Sequence, residues 1–346
     1  MMIARHVRRL AGYTPGEQPH SLKVIKLNTN ENAYPPSPTV AKTLAKFDLE
    51  RLRRYPDPDA TALREALAQL NGTTADRIFV GNGSDEILAL AARAFVENDE
   101  AIATLDPSYL LYRTLAAIRN VKWVGATTDE LATLKRRRAA LFILTNPNAP
   151  TGEFTPIREI AAFARRFPGV VIVDEAYGDF AADNAMRLAT AKSNRNLVVM
   201  RTFSKSFSLA GLRVGYCVGP KPLIDALVKI KDSYNVDAVA QAAALAAVKD
   251  VAWMRENVKR IIATRTRTAA ALRARGWDVL PSESNFLFAA PPETGPGAAE
   301  IFAGLKRRNI FVRYFPGPKT GRRLRITIGT EGQMRKLLKA IDDILQ

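Results

Sequence analysis

Three short segments carry residues that can do chemistry, and each follows an apolar run typical of a buried strand. The turn at residues 81–86 has two glycines before a helical pattern, and free N–H groups at a helix start favour an anion such as phosphate. The second segment ends at Asp174, and the third contains Ser204 and Lys205, with Arg213 eight residues beyond the lysine. Taken singly, they could equally be a helix N-cap, a loop acid and a solvated lysine.

Together, the three segments contain what a pyridoxal phosphate (PLP) site needs. The cofactor requires a lysine amine that forms a Schiff base with its aldehyde, and an acid that keeps the pyridine nitrogen protonated so that the ring accepts electrons. Its phosphate requires N–H groups, hydroxyls and a cation. We therefore expect Lys205 to supply the amine, Asp174 the acid and Arg213 the cation, which would also lower the pKa of Lys205.

The predicted elements place these segments at one edge of an α/β sheet. Short apolar strands alternate with helices up to residue 221, a pattern that favours a mostly parallel sheet covered by helices on both faces. Ligands of such sheets bind beyond the carboxyl ends of the strands. The predicted strands are 78–80, 101–104, 140–144, 170–173, 197–200, 212–218, 286–288, 310–313 and 324–328, and the predicted helices before residue 221 are 63–70, 84–96 and 157–167.

The same pattern predicts the domain organisation. Residues 1–35 contain three prolines, with a fourth at Pro36, and are expected to form an irregular arm that belongs to the small domain. Residues 36–240 form the predicted large domain, which holds the cofactor site. Residues 241–346 combine long helices with a few strands, and we expect a smaller α+β domain there.

Composition excludes several classes of protein. The 346 residues are 47% hydrophobic and 25% charged, as in globular proteins of about two domains. A single cysteine, Cys217, excludes an internal disulfide and indicates a reducing compartment, most simply the cytoplasm. The two histidines, His6 and His20, lie near the N-terminus, which argues against a Ser-His-Asp hydrolase or a multi-histidine metal site. We expect no metal, no signal peptide and no membrane span.

The charge is strongly positive, with 51 Lys and Arg against 34 Asp and Glu and a net charge of +17. This balance raises the alternative of a nucleic-acid-binding protein. The basic clusters are short and do not alternate with aromatic residues, so we expect a solvated basic surface instead. The clusters lie at residues 51–54, 135–138, 306–308 and 322–323.

Beyond these residues, the sequence resembles the fold-type I, class I/II PLP-dependent aminotransferases, and within them the branch that acts on histidinol phosphate. The lysine and aspartate segments are specific for the superfamily, whereas the asparagine-rich segment at 27–32 and the segment at 324–327 favour the branch. The matching segments are 27–32, 54–57, 81–86, 107–109, 146–152, 174–177, 201–213, 283–286, 312–315 and 324–327.

The resemblance implies roles around the cofactor ring. Lys205 would be the Schiff-base lysine and would carry the proton between the substrate Cα and the cofactor carbon. Asp174 would pair with the pyridine nitrogen, Tyr177 would bind the ring hydroxyl, and Tyr109 would stack on the ring.

The resemblance also implies how the phosphate is held and that the active unit is a homodimer. The residues implied at the phosphate are Gly83, Ser84, Asp85, Ser204, Arg213 and Tyr55 of the partner subunit.

One position departs from the family pattern. The family has an asparagine directly before the Pro-Thr-Gly of the turn at 146–152, where it contacts the ring hydroxyl, and this chain has Ala149. Either Asn148 replaces it through a shifted backbone or the contact is missing, and we favour Asn148.

The resemblance further implies two alternating anionic substrates, L-histidinol phosphate and glutamate, with 2-oxoglutarate as the acceptor. A planar arginine fork can bind either a carboxylate or a phosphate. Arg325 matches the anion-binding arginine of the family, Arg313 would assist it, and Tyr13 and Asn30 would close over the substrate.

Other activities use nearly the same residues. An aromatic or broad-specificity aminotransferase and a phospho-amino-acid decarboxylase are alternatives on the same fold. A DNA-binding regulator with an aminotransferase-like domain would need an added helix-turn-helix, and the 26 residues before Leu27 are too few for one, so we expect none.

Overall fold

The computed structural model describes residues 2–10, 12, 15–19, 21, 23–127, 130 and 139–345. Within these residues, a seven-stranded sheet forms the centre of the larger part of the chain. Its order is β2-β8-β7-β6-β5-β3-β4, and only β8 runs antiparallel to the other six. The seven strands are β2 (Ile78–Gly81), β3 (Ala101–Leu105), β4 (Lys122–Ala126), β5 (Leu141–Thr145), β6 (Val170–Asp174), β7 (Leu197–Thr202) and β8 (Gly215–Val218).

The central strands of this sheet are buried because helices cover both faces. All residues of β3 and β5 are buried, as expected for strands in the middle of a covered parallel sheet. One covering helix, α6 (Ile157–Arg166), turns Ile160 and Phe163 inward, and the Phe163 ring packs edge-on against Phe142 of β5 at 4.8 Å between centroids. The positions at 157, 160, 163 and 164 form the apolar stripe of a 3.6-residue period.

The helices of the chain follow in order, and most of them lie between strands of the large sheet or after it. They are α1 (Arg5–Arg9), α2 (Pro38–Ala45), α3 (Thr61–Asn71), α4 (Ser84–Ala94), α5 (Leu111–Arg119), α6 (Ile157–Arg166), α7 (Met186–Thr190), α8 (Lys221–Ile230), α9 (Ala238–Lys249), α10 (Val251–Arg273), α11 (Ala298–Arg307) and α12 (Glu331–Leu345). Among the described residues, none of these helices is both long and apolar enough to cross a membrane.

A second, antiparallel sheet follows the long helix α10, with the order β12-β13-β10-β9. A two-stranded parallel sheet joins the N-terminal segment to the same region, because β1 pairs with β11. The strands outside the large sheet are β1 (Ile25–Lys26), β9 (Asp278–Val279), β10 (Phe286–Ala290), β11 (Ile310–Phe311), β12 (Arg313–Tyr314) and β13 (Leu324–Thr327).

The α/β class and the mostly parallel sheet were predicted correctly, and three local predictions were wrong. The segment 1–35 is not wholly irregular, because it contains α1 and pairs β1 with β11. The predicted strand 310–313 is two strands on different sheets, interrupted at the buried Val312. The strand predicted from residue 212 begins at Gly215, because a 3-10 turn occupies Ala210–Leu212. The pattern also missed β4, whose residues are only partly apolar and buried.

Candidate active site

Asp174 is the last residue of β6 and is buried at the carboxyl edge of the large sheet. Its carboxylate accepts hydrogen bonds from the Tyr112 hydroxyl at 2.6 Å and from the Ala176 N–H at 3.0 Å. Burial raises the pKa of Asp174 to about 6, and the neighbouring acids Asp85 and Glu175 act in the same direction. The two hydrogen bonds oppose this shift because they stabilise the ionised form.

Lys205 lies in the loop after β7, the strand next to β6. Its Nζ donates to the Thr29 carbonyl at 3.0 Å and lies 6.0 Å from the centre of the Tyr177 ring. Desolvation, together with the charges of Arg325 and Arg213, lowers the pKa of this amine to about 8. A larger fraction of this amine is therefore uncharged near neutral pH than of an ordinary lysine, and the uncharged form is the one that attacks a carbonyl carbon.

The turn before α4 brings backbone N–H groups next to an arginine. Gly83 has φ +78°, and a side chain there would place its Cβ 2.7 Å from Nη2 of Arg213. No side chain caps α4, so the N–H groups of its first turn have no partner from the Gly83 position. Arg213 also pairs with Asp85 at 3.2 Å and donates to the buried Ser204 hydroxyl at 3.4 Å. The geometry brings together the residues expected to hold a phosphate.

Tyr177 and Asn30 meet although they are far apart in the sequence. Nδ2 of the buried Asn30 donates to the Tyr177 hydroxyl at 2.8 Å, and its Oδ1 accepts from the Thr327 hydroxyl at 2.9 Å. Asn30 has φ +57°, a left-handed conformation that asparagine tolerates better than most residues. The expected substrate residue Asn30 thus connects the N-terminal segment, β13 and Tyr177.

Asn148 is buried with its side-chain amide already in use. Its Nδ2 donates to the Pro107 carbonyl at 3.0 Å and to the Thr151 hydroxyl at 3.1 Å, and its Oδ1 accepts from Ser108 at 2.8 Å. These contacts leave neither amide hydrogen for a ring hydroxyl, so they give no support to the role we favoured for Asn148. Ala149 is buried beside it and offers no polar group.

The two other aromatic residues expected near the cofactor take different positions. Tyr109 is half-buried and packs edge-on against Tyr112 at 5.5 Å between ring centroids. Tyr55 is 79% exposed and stacks on the partly exposed Tyr234 at 4.2 Å. Tyr55 therefore lies on the surface of the single chain.

Arg313 and Arg325 are opposite each other in the register of β12 and β13. Arg325 donates to the Asn28 carbonyl at 2.8 Å, and Arg313 donates to the Pro15 carbonyl at 3.3 Å. Both guanidinium groups lie over the ring of Phe315, at 5.2 Å and 5.1 Å from its centre. Tyr13, the remaining expected substrate residue, lies outside the described residues.

Several residues of this site were not found from the sequence. Asn32 donates to the carbonyls of Lys205 and Ser206, both at 3.0 Å, and so supports the lysine loop. Thr145 is opposite Asp174 in the register of β5 and β6, and Tyr112 contacts both. The position of Thr145 at a predicted strand end was the available signal, and nothing local marked Tyr112.

A buried ion pair connects β7 to the loop after β6. Arg201 contacts Glu175 at 2.8 Å and Asp179 at 3.1 Å, and the Glu175 side chain is fully buried. Asp179 also accepts from the Ser206 hydroxyl at 2.5 Å. These contacts therefore hold the segment of Asp174 and the segment of Lys205 together.

A covered, mostly parallel sheet with an acid and a lysine at neighbouring strand ends is the arrangement of the PLP-dependent transferases. This chain belongs to the class I and II aminotransferase family, whose sequence profile matches residues 22–341.

Relatives of known name are similar over almost the whole length. A protein of Geotalea uraniireducens named histidinol-phosphate aminotransferase is 46% identical over 99% of both chains. A protein of Bradyrhizobium diazoefficiens named histidinol-phosphate aminotransferase 1 is 43% identical over 98% of both chains. The solved structure of histidinol-phosphate aminotransferase from Sinorhizobium meliloti, in complex with PLP, superposes with a TM-score of 0.90 at 26% identity and covers 99% of this chain and 97% of that chain.

Proposed function

We propose that this chain is a PLP-dependent aminotransferase that moves an amino group between L-histidinol phosphate and 2-oxoglutarate, a step of histidine biosynthesis. The observation that carries the proposal is the 46% identity to a histidinol-phosphate aminotransferase over 99% of both chains. The site is compatible with this reaction, because it combines an amine of lowered pKa with two arginines that can bind anions.

The residues present fit PLP by their chemistry. Gly83 leaves space beside Arg213 that a Cβ would fill, and the uncapped start of α4 offers N–H donors to a phosphate. Ser204 and the backbone of Ser84 and Asp85 complete this set. Asp174 would hold the pyridine nitrogen, Tyr177 the ring hydroxyl and Lys205 the aldehyde carbon, with Tyr109 against the ring face.

The bound cofactor supplies an aldehyde that takes up the amino group and a ring that accepts the electrons of the broken Cα–H bond. Lys205, as an uncharged amine, would take the proton from the substrate Cα. It would then deliver a proton to the cofactor carbon. Asp174 would supply a negative charge to the ring nitrogen. Tyr177, whose hydroxyl accepts a hydrogen bond from Asn30, would donate to the ring hydroxyl.

The substrates are bound by their negative charges. Arg325 offers a planar fork to the carboxylate of glutamate and to the phosphate of histidinol phosphate in turn, and Arg313 assists from the neighbouring strand. Asn30 and Tyr13 lie on the N-terminal segment that we expect to cover the bound substrate.

A substrate comparison tests the proposed function. Purified protein is assayed with histidinol phosphate, phenylalanine and tyrosine as amino donors and with 2-oxoglutarate as acceptor. We expect the highest kcat/KM for histidinol phosphate. A preference for the aromatic amino acids would contradict the proposal, as would release of carbon dioxide without a keto acid.

Replacing Arg325 with alanine should raise KM for glutamate and for histidinol phosphate together. Loss of a charged hydrogen-bonding partner costs about 1.5–3 kcal/mol, so KM should rise about 10- to 100-fold for each substrate. The matched control is Arg322→Ala, because Arg322 is exposed and pairs only with the exposed Glu293 among the described residues. A rise for one substrate alone would contradict the shared anion site.

We further propose that the active unit is a homodimer in the cytoplasm, with an arm at 1–35, a large domain at 36–240 and a small domain at 241–346. Tyr55 is exposed in one chain, and Tyr55 of the partner subunit is proposed to complete each phosphate site.

Light scattering should therefore give twice the 38.0 kDa mass of one chain. Tyr55→Phe should weaken cofactor affinity about 10-fold without changing that mass, since it removes only a hydroxyl that bonds a phosphate. A monomeric, fully active protein would refute the shared site.

A further inference from the structure

The hydroxyl of Tyr112 is completely buried between two strand ends. It lies 2.6 Å from Oδ2 of Asp174 and 2.6 Å from the hydroxyl of Thr145. Tyr112 is on α5, the helix that follows the segment of Tyr109, and its side chain has no exposed surface. A buried phenol that approaches a carboxylate this closely is a charge-assisted hydrogen bond, which is about twice as strong as a neutral one.

The hydrogen atoms of this region can be assigned by counting. A carboxylate can only accept, so Tyr112 donates to ionised Asp174 and Thr145 then donates to Tyr112. Ser108 donates to Oδ1 of Asn148 at 2.8 Å, which leaves the Ser108–Thr145 contact without a hydrogen. That contact is the longest of the four, at 3.1 Å.

This shortage of one hydrogen also favours the protonated form of Asp174 when nothing is bound to it. A proton on Asp174 would supply the hydrogen that the fourth contact lacks. Burial and the charges of Asp85 and Glu175 act in the same direction. In contrast, the hydrogen bonds from Tyr112 and from the Ala176 N–H stabilise the ionised carboxylate. Of these two, only Tyr112 contributes through its side chain and can be changed without altering the backbone.

We propose that Tyr112 is a positioning residue that donates its hydroxyl hydrogen to Asp174, holding that side chain ionised and oriented toward the pyridine nitrogen, while Thr145 supports it from behind. The inference rests on the proposed PLP function. Tyr112 does not touch the reacting atoms, and it acts through Asp174. The phenol keeps its own proton, because burial and the Asp174 charge raise its pKa well above the usual value.

The test is the pH dependence of cofactor binding rather than turnover. Cofactor-free protein is titrated with PLP between pH 5 and pH 9, and affinity is followed by visible absorbance. In the unaltered protein, affinity should fall below about pH 6, where Asp174 becomes protonated. In Tyr112→Phe the midpoint should rise by about one pH unit, so affinity should fall about 10-fold at pH 5 and about 2-fold at pH 7, and should recover at pH 9.

Two further variants make the result decisive. Tyr216→Phe removes the hydroxyl of an equally buried tyrosine on β8 that does not bond Asp174 and should leave the midpoint unchanged. Thr145→Val should shift the midpoint in the same direction as Tyr112→Phe, but by less. If Tyr112→Phe does not fold, Thr145→Val serves as the test variant. An unchanged midpoint, or the same loss of affinity at every pH, would overturn the inference. If the unaltered protein itself binds no PLP, it is the proposed function that fails.

Discussion

Lys205→Ala should abolish the visible absorbance that PLP acquires when it is bound through an amine, and should lower kcat by about four orders of magnitude. General acid–base catalysis contributes about 10²- to 10⁴-fold, and the covalent link to the amine adds to it. The Nζ of Lys205 donates to the Thr29 carbonyl and lies 6.0 Å from the centre of the Tyr177 ring. The charges of Arg325 and Arg213 act on this amine.

The matched control for this prediction is Lys221→Ala. Lys221 is exposed at the start of α8 and pairs with Asp225 at 2.8 Å, so its loss should change neither spectrum nor rate. Ethylamine added to Lys205→Ala should restore part of the activity, since a free amine can take the proton. Full turnover of Lys205→Ala without added amine would refute the assignment.

Arg201→Met should lower the free energy of unfolding by about 3–5 kcal/mol, the usual cost of removing one partner from a buried ion pair. Glu175 is fully buried, and burial already raises its pKa even with Arg201 beside it. Without the arginine, the Glu175 pKa rises further, and the folded protein binds a proton that the unfolded chain releases. The loss should therefore be larger at pH 8 than at pH 5.

Urea denaturation at both pH values measures this effect, with Arg187→Met as the control. Arg187 on α7 forms an exposed pair with Asp183 at 3.3 Å, and exposed pairs contribute at most about 1 kcal/mol. An equal loss in the two variants, or a loss in Arg201→Met that does not grow with pH, would show that the buried pair does not stabilise the protein.

The buried pair also explains how the site is kept in shape. Arg201 bonds Glu175, the residue after Asp174, and Asp179 bonds Ser206, the residue after Lys205. We therefore expect the acid and the lysine to keep a fixed position relative to each other.

The sequence by itself determined the α/β class, the mostly parallel sheet and the positions of the candidate lysine and acid. Asp174 ends one apolar strand and Lys205 lies in the loop shortly after the next, and parallel strands bring their carboxyl ends to one edge. Local pattern is sufficient for such residues because the signal and the side chain lie within a few positions of each other. The residues of the phosphate turn share this property, since their glycines and helix start are contiguous.

Only the tertiary structure decided which side chains from distant positions in the sequence meet. Tyr112 and Asp174 are separated by 62 positions, and Asn30 and Tyr177 by 147. Such contacts depend on strand register and on how the N-terminal segment pairs with β11, and neither leaves a local trace in composition or periodicity. The same reason applies to Asn148, whose amide is taken up by Pro107, Ser108 and Thr151 once the loops are packed together.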